Sequence, residues 1–587
     1  MASSHDAGIA RDPAAASLAN APSPLDVRRT ILAQDPGVLK AGTTRLLRAN
    51  VPVPYDDVLP GPRSSRFAVV DYDATRNELH PVTRLGDTKA FKDLTDGQLV
   101  ASRAFRAQNV YAIAARTLGA FEFALGRRIP WSFTGHQLNL VPAAFHEANA
   151  YYDAESNAIL FGYFEGRVRQ RDGGWKRGTV YTGLSHDIVA HETTHAVLDG
   201  LRSRFEEPGL PDQLAFHEAF ADIVALLSVF SVEELVETAL GEADPEGRIP
   251  SSRVAEEALR CGVLLGLAEE MGEATSAHSG AALRRSVAME PITGWADDPD
   301  FDEPHRRGEI LVAAVMRVFV GIWRDRLDAL TSREGRLDRN RAAEEGRKSA
   351  EHLLRMVIRA IDYTPPLEFE YDDFVEAILV SDAEAAPDDA HHYRDRLRAS
   401  FAEFGMAPRG RVVEIDRVAR LAYDSINASE LRQRSDEVFR FLWLNADAAG
   451  IDRAYYATVD DLVPSIRVGP DGLILQEVVG TYRQMLNGTA AELAALSKGK
   501  LKVAGLEPGT PIQLHGGGTL IFDQFGRAKH HVHKPIFDWK RQSRRLAYLV
   551  RNGMTDRTGR LGFSPGIAEG QRFAVLHDPS IDPGETW

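Results

Sequence analysis

The sequence predicts an α+β protein with a β-rich amino-terminal part, a helical middle part and an additional α+β domain at its carboxyl end. Three observations support this prediction. Short β-like segments recur up to residue 182, helical patterns follow one another from residue 183 to residue 408, and helices mix with hairpin-like segments beyond that point. The length of 587 residues suffices for two or three such units.

The amino-terminal elements follow from local composition. Residues 1–34 are rich in Ala, Ser, Pro and Asp and have little apolar periodicity, so we expect a disordered tail there. Apolar residues spaced three and four apart predict a buried amphipathic helix over 101–125. The remainder of the β-rich part, residues 35–182, contains aromatic and β-branched runs that predict strands. These strands cover 67–72, 159–164 and 179–181.

The middle part, residues 183–408, carries the boundary signals of helices. Ser185 is a suitable N-cap and Gly200 a suitable end for one helix. Pro211 occupies the first turn of the next helix, which runs to Leu227. Further helices are predicted at 254–272, 308–328, 340–362, 370–381 and 390–404.

A Pro-Arg-Gly sequence at 408–410 marks the boundary to the additional domain, residues 409–587. We expect helices in this domain up to about residue 445, followed by hairpins around 469–472 and 525–526. The sequence leaves the role of the domain open.

Charge and composition exclude several classes of protein. The net charge of −15 is a poor match for nucleic-acid or anionic membrane surfaces, and no apolar run is long enough to cross a membrane. The single cysteine, Cys261, cannot form an internal disulfide, and no secretory signal is visible. We therefore expect a cytoplasmic protein without nucleic-acid or membrane partners. Export without a recognisable signal and the oligomeric state stay open.

The most informative segment is His191-Glu192-Thr-Thr-His195. Two histidines four residues apart project from the same face of a helix, so both imidazoles can bind one metal ion. A glutamate beside the first histidine lies near a metal-bound water, where it can act as a general base. On this motif alone, an amphipathic helix with solvent-facing polar residues is the competing interpretation.

The next predicted helix supplies the rest of a metal centre. Glu218 and Asp222 lie one turn apart on one face, so Glu218 can serve as a third ligand. Asp222 can accept the free ring N–H of a ligating histidine. A solvated acidic face is the alternative for these two residues, and it becomes the weaker one beside His191 and His195. Three protein ligands leave a fourth position open, as in catalytic zinc sites.

This arrangement resembles the thermolysin-like gluzincin zinc metallopeptidases. The resemblance covers about residues 40–407 and implies a two-lobed architecture, with a zinc cleft between a β-rich lobe and a helical lobe. Segments outside the metal centre are also similar to family motifs. They are the edge strand at 149–153 with 159–162, the pocket segment 283–286, the active-site histidine segment 304–314 and the helical bundle at 369–406.

The resemblance implies a role for each matching residue of the centre. Zinc would be bound by His191, His195 and Glu218. Glu192 would take a proton from the zinc-bound water and pass it to the leaving amine, and His305 would help to hold the oxyanion.

The resemblance also implies positioning and substrate contacts. Asp300 would orient His305, with Asp302 as its rival. The implied substrate-binding residues are Asn149, Ala150, Tyr152 and Arg285, with Arg284 as the alternative to Arg285.

Some features depart from the family pattern. Phe205 stands where the family has a Tyr that helps to bind the oxyanion, and His217 stands where it prefers Asn and could compete as a ligand. Of the family's calcium-binding carboxylates only Asp187 is retained, so we do not predict a calcium site, and the sequence leaves open whether calcium is bound. Separately, the alternating histidines of 530–533 invite a second metal site, although an exposed strand face is the favoured interpretation.

Taken together, these residues predict a zinc metalloendopeptidase that hydrolyses peptide bonds in a peptide or protein substrate. The alternative is a binding module with the peptidase fold, weak or inactive as an enzyme, whose zinc is structural. An exopeptidase is a third interpretation. A decayed enzyme would often have lost one of the key residues, whereas this chain retains His191, Glu192, His195, Glu218 and His305.

Overall fold

The protein is a mixed α and β structure, as the sequence predicts. The structure, a computed structural model, describes residues 25–34, 46–87, 89–169, 175–207, 209–260, 286–328, 330–332, 334–389, 391–408, 421–468, 472, 474–554 and 561.

A five-stranded sheet forms the centre of the amino-terminal part. Its strand order is β3–β6–β8–β7, and β9 also pairs with β8. Strand β6 runs parallel to β3 and to β8, whereas β7 and β9 are antiparallel to β8. The strand β7 therefore stands at the end of this order. The strands of this part are β1 (Asp26–Leu32), β2 (Arg48–Pro54), β3 (Phe67–Val69), β4 (Tyr72–Asp73), β5 (Glu78–Leu79), β6 (Leu138–His146), β7 (Ala150–Asp153), β8 (Ala158–Arg169) and β9 (Trp175–Tyr181).

The predicted disorder of residues 1–34 is wrong for its last third. Residues 26–32 form β1, which pairs antiparallel with β2. Ile31 is fully buried, and the backbone N–H of Leu32 donates to Asn109 Oδ1 at 3.0 Å. The apolar residues of β1 form a strand because they pair with β2, although the preceding residues are rich in Ala and Pro. Composition alone does not reveal such long-range pairing.

Helices dominate the middle part, and each helix predicted there is found wherever the chain is described, whereas the helix Glu233–Leu240 is not among those predicted. Two further helices, Asp96–Ala101 and Arg103–Leu125, lie in the amino-terminal part. The helix predicted at 254–272 is described only as far as residue 260. The helices are α1 (Asp96–Ala101), α2 (Arg103–Leu125), α3 (His186–Leu201), α4 (Pro211–Phe230), α5 (Glu233–Leu240), α6 (Glu256–Ala258), α7 (Pro304–Asp328), α8 (Arg339–Ala360), α9 (Tyr371–Ala385) and α10 (Tyr393–Glu403). Short strands β10 (Arg248–Pro250) and β11 (Arg336–Asp338) pair antiparallel.

The helix α4 runs through the protein core and packs against both α3 and α7. By length and composition alone this helix could cross a membrane, but most of it is buried inside the protein. Small residues let α7 approach closely: a Cβ added at Gly308 would lie 3.2 Å from the carbonyl oxygen of Ala215 and 3.3 Å from the Cβ of Ala219. This close approach brings the start of α7 beside the middle of α4.

The described residues between 421 and 561 form what we call the carboxyl-terminal module. Its four-stranded antiparallel sheet has the order β12–β13–β14–β15. Residues Val479 and Ile521 of this sheet belong to the same hydrophobic core as the helices of the middle part. The predicted hairpin at 525–526 joins β14 and β15, and the predicted domain boundary at 408–410 falls at the edge of residues 409–420, which lie outside the described residues. The elements are α11 (Ser435–Leu444), α12 (Ala446–Ala449), β12 (Ala457–Val468), β13 (Ile474–Thr489), α13 (Ala490–Leu496), β14 (Pro511–Phe522), β15 (Ala528–Lys534) and α14 (Trp539–Arg551).

Buried ion pairs join the module to an acidic segment before α9. Arg545 Nε lies 2.9 Å from Glu368 Oε1, and both side chains are fully buried. Lys534 Nζ, also fully buried, lies 3.0 Å from a Glu370 oxygen and 2.5 Å from an Asp373 oxygen. Charges in an apolar interior are tolerated only when they are paired. The module and the acidic segment therefore depend on each other for the stability of their buried charges.

Replacing Lys534 by Met should therefore destabilise the whole chain. The variant removes a cation that is close to two buried carboxylates, and loss of one partner of a buried pair costs about 3–5 kcal/mol of unfolding free energy. Urea unfolding followed by fluorescence measures the change.

The matched control is Arg434→Ala, which removes an exposed ion pair with Asp436 in the same module. It should leave the unfolding midpoint in place. Equal midpoints for all three proteins would show that the buried pair contributes nothing.

Candidate metal centre

The helices α3 and α4 bring three predicted ligands together. His191 Nε2 lies 2.9 Å from His195 Nε2, and each nitrogen is 3.6 Å from Oε2 of Glu218. His195 is fully buried, and Glu218 is 2% exposed. The two histidines are four residues apart on one helix face, and Glu218 faces them because α4 packs along α3.

This group could hold a metal ion. One ligand atom from each of His191, His195 and Glu218 lies within 4.8 Å of the other two. Tetrahedral coordination at metal–ligand distances of about 2.0–2.2 Å separates neighbouring ligand atoms by about 3.3–3.6 Å, which is close to the separations in this group. Among the residues that the structure describes, it is the group of His, Cys, Asp and Glu side chains that brings three ligand atoms this close.

The Nδ1 atoms of His191 and His195, on the side of each ring away from the metal position, have partners. Asp222 Oδ1 lies 2.9 Å from His191 Nδ1, as the sequence predicts. His217 Nδ1 lies 2.7 Å from His195 Nδ1, and the two rings stack with centroids 4.8 Å apart. His217, predicted as a rival ligand, therefore stands behind His195 and outside the ligand group. A partner at Nδ1 directs Nε2 towards the metal position.

Charge and burial set the proton affinities of the two rings in opposite directions. Burial opposes protonation of His191, but its hydrogen bonds with Asp222 and Glu218 raise its pKa well above the usual value. Burial lowers the pKa of His195 well below the usual value. A metal ion binds neutral imidazole, so it must displace the proton from His191, and acid must oppose metal binding.

The predicted base, Glu192, lies between α3 and the edge strand β7. Its Oε2 accepts the backbone N–H of Tyr152 at 2.9 Å, and the residue is 3% exposed. The Tyr152 hydroxyl donates to Asp199 Oδ2 at 2.9 Å, and its side chain is fully buried. The Tyr152 side chain is thus held inside the protein and its backbone N–H holds Glu192, while the predicted role of Tyr152 in substrate binding stays a prediction.

The other predicted substrate residues differ in what the structure shows. Asn149 is 7% exposed, and its side-chain oxygen accepts the N–H of Ala150 at 2.8 Å, so the side chain is used within the strand. Ala150 begins β7, opposite Phe161 of β8. Arg285 and its alternative Arg284 lie outside the described residues.

His305 stands at the start of α7 with its ring directed at the centre. Its Nε2 lies 3.6 Å from Glu218 Oε2, and its Nδ1 lies 2.9 Å from Glu303 Oε1. Burial opposes protonation, but the Glu303 hydrogen bond and the charge of Glu218 raise the pKa of His305 to about 9. A protonated imidazole at neutral pH is a hydrogen-bond donor at Nε2.

The residue that orients His305 is Glu303, and the predictions for Asp300 and Asp302 are wrong. Asp300 is exposed and donates its N–H to Asp298, whereas Asp302 pairs with Arg551 of the module. Sequence reasoning had a usable signal for Glu303, because it directly precedes a proline that begins α7.

Glu303 caps the first turn of α7. Its carboxylate accepts the N–H of His305 at 3.0 Å and that of Arg306 at 2.6 Å. Burial opposes ionisation, but the partners around this carboxylate lower the pKa of Glu303. The negative charge is therefore kept at the helix start, where the helix dipole also favours it.

Phe205 takes no part in the centre. It is fully buried and packs against Phe216 and Phe369, with ring centroids 5.6 and 5.4 Å away. Within the described residues, the position that the family resemblance linked to oxyanion binding thus belongs to the hydrophobic core.

His530 and His531 of β15 are buried and His533 is half-buried, so the predicted exposed strand face is wrong. The Tyr482 hydroxyl lies 2.8 Å from His531 Nε2 and 2.9 Å from His533 Nδ1, and His530 packs on the Tyr363 ring. The Tyr482 hydroxyl can donate to one of these two rings and accept from the other. Hydrogen bonding therefore explains why Tyr482, His531 and His533 lie close together.

Metal titration checks the ligand group. The wild-type protein should bind one zinc ion per chain, and His195→Asn should lose this binding because it removes a ligand. Asp222→Asn should weaken binding about 10- to 100-fold through the His191 ring. Isothermal titration with zinc measures both.

The control for this titration is His136→Asn, which changes an exposed histidine. It should bind zinc like the wild type. Unchanged affinity in the His195 variant would contradict the assignment of the ligands.

Two histidines of β15, buried His530 and half-buried His533, predict a loss of stability in acid. Burial lowers the pKa of His530 and of His533 to about 4 each, below the unfolded value near 6.5. The unfolded chain then binds more protons, so stability is complete above pH 6.5 and falls as the pH drops towards 4. Each ring should cost about 2 kcal/mol between pH 7 and pH 5.

Urea unfolding at pH 7 and pH 5 tests this dependence. His530→Phe keeps an aromatic ring against Tyr363 and should show a smaller difference between the two pH values than the wild type. His136→Gln should keep the wild-type difference. The prediction fails if His530→Phe retains all of it.

Comparison of the sequence with protein-family models gives no match, and neither does comparison with curated proteins. Functional inference for this chain therefore rests on the geometry of its own residues.

Proposed function

We propose that this protein is a zinc-dependent metallopeptidase that hydrolyses peptide bonds in peptide or protein substrates. The observation that carries the proposal is the convergence of His191, His195 and Glu218 on one point, with Glu192 beside the first histidine. Two imidazoles and one carboxylate are the donor set of catalytic zinc sites, which keep a further position open. A closed structural site would instead use four protein ligands.

A two-lobed, thermolysin-like architecture belongs to the same proposal. The hydrogen bond from the Tyr152 N–H to Glu192 supports it, because it joins the sheet that ends in β7 to the helix α3. In such an arrangement the substrate would lie between these elements, close to the metal centre.

Zinc, when bound, acts as a Lewis acid that polarises the scissile carbonyl and lowers the pKa of a water molecule. Glu192 then takes a proton from the attacking water at its carboxylate and donates that proton to the leaving amine. Its hydrogen bond with the backbone of Tyr152 holds the carboxylate in one orientation, which reduces the reorganisation needed during the reaction.

His305 stabilises the charge that develops on the carbonyl oxygen. Its protonated Nε2 donates towards the centre, and Glu303 holds the ring from the Nδ1 side at 2.9 Å. A donor that is already oriented acts on the transition state more than on the neutral substrate.

The backbone edge of β7 is the proposed place for an extended substrate. A peptide that adds a strand to the sheet would lie along Asn149 and Ala150, and it would have to replace the hydrogen bond that Asn149 Oδ1 accepts from the Ala150 N–H. The predicted contact of Arg285 with a substrate carbonyl stays a prediction.

Glu192→Gln tests the proposed chemistry. The variant keeps the shape of the side chain and all three ligands, so zinc content should stay unchanged. Loss of the base should lower kcat by about 10²- to 10⁴-fold. Cleavage of a broad fluorogenic peptide library, together with zinc analysis, measures both quantities.

Glu155→Gln is the matched control, since Glu155 is exposed in the turn that follows β7. It should cleave like the wild type. If the zinc-loaded wild type and the Glu192 variant are equally inert, the protein is a zinc-stabilised binding module and the proposal is wrong.

A further inference from the structure

The turn that precedes α7 connects the carboxyl-terminal module to the metal centre. Asp302 in this turn accepts two hydrogen bonds at Oδ2 from Arg551, from Nε at 2.9 Å and from Nη2 at 2.7 Å. The Tyr548 hydroxyl donates to the backbone carbonyl of Asp302 at 3.4 Å. The helix α14 thus holds both the side chain and the backbone of the residue next to Glu303.

A second anchor holds the same turn from the core side. Arg307 Nε donates to Asp212 Oδ1 at 2.6 Å, and its other nitrogens donate to the carbonyls of Phe301 and Ala296 at 3.2 and 3.1 Å. This anchor fixes the turn to α4, the helix that carries Glu218. The turn is therefore held from two sides, by Arg551 of the module and by Arg307 of the middle part.

The turn needs a cation from outside because it is strongly acidic. Carboxylates at close spacing repel one another and favour spreading of the turn. Arg551 forms a two-nitrogen contact with one of them, which neutralises charge and fixes orientation together. The acidic residues of this turn are Asp297, Asp298, Asp300, Asp302 and Glu303.

We propose that Arg551 is a positioning residue for His305, and that the carboxyl-terminal module is thereby a working part of the catalytic site. Arg551 fixes Asp302, which fixes the backbone at Glu303, and Glu303 holds the His305 ring. This inference rests on the proposed peptidase function.

The alternative is a surface ion pair without consequence. The Arg551 side chain is 49% exposed, and exposed pairs contribute little to stability. The two interpretations therefore differ in what they predict for kcat. A positioning role lowers kcat without lowering stability, since a small displacement of His305 weakens a contact made in the transition state.

Arg551→Ala should lower kcat about 10-fold, leave KM within about twofold and leave the thermal midpoint and zinc content in place. Arg551→Lys, which keeps the charge but offers one nitrogen in place of two, should recover only part of the lost activity. Arg434→Ala, which removes an exposed pair elsewhere in the module, is the matched control and should behave like the wild type.

A double-mutant cycle separates positioning from a general effect. If Arg551 acts through His305, the Arg551→Ala change should have no further effect on kcat in a His305→Ala background. A full 10-fold loss in that background would overturn the proposal, as would wild-type kcat in Arg551→Ala itself.

Hydrogen–deuterium exchange of the full-length, metal-free protein gives a readout that does not depend on activity. Peptides covering 298–306 should exchange faster in Arg551→Ala than in the wild type and in Arg434→Ala. Unchanged exchange would overturn the positioning role. If the wild type cleaves no peptide and exchange nevertheless rises, the peptidase function fails while the positioning of the turn stands.

Discussion

One buried carboxylate organises the centre of this molecule. Oε2 of Glu218 lies 3.6 Å from Nε2 of His191, of His195 and of His305, and the residue is 2% exposed. A carboxylate cannot remain ionised in the interior without compensating positive charge or hydrogen bonds. The imidazole rings of α3 and of the start of α7 supply that compensation. The packing of α3 and α7 around α4 is therefore tied to the need to place these rings beside the Glu218 carboxylate.

The helix packing follows from the residues that carry this carboxylate. The helix α4 is buried along almost its whole length, and its small residues let α7 approach closely, as Gly308 beside Ala215 illustrates. Large side chains at these positions would push the start of α7, and with it His305, away from Glu218. The close packing of α4 against α7 therefore matters for the chemistry of the centre, because it fixes the distance between Glu218 and the His305 ring.

The carboxyl-terminal module is continuous with this core through buried charge. Fully buried Lys534 and Arg545 reach an acidic segment before α9, and Gln213 of α4 accepts the backbone N–H of Glu368 in that segment at 2.8 Å. The module therefore stabilises the amino-terminal end of α4 and, through Asp302, the turn before α7. Burying charge is costly for stability, so such contacts specify one relative arrangement of the parts more than they add binding energy.

The sequence by itself determined the two helices of the centre and the three residues that could hold a metal ion. Helical periodicity located α3 and α4, and spacing on one helix face is enough to place His191 beside His195, because helix geometry is local. Tertiary structure alone decided the partners that come from elsewhere in the chain. It put Glu303 rather than Asp300 on His305, since rotation of the turn depends on contacts made by α14 and α4. It also buried the side chains of Tyr152, His530 and His531, because burial depends on which face of a sheet another element covers.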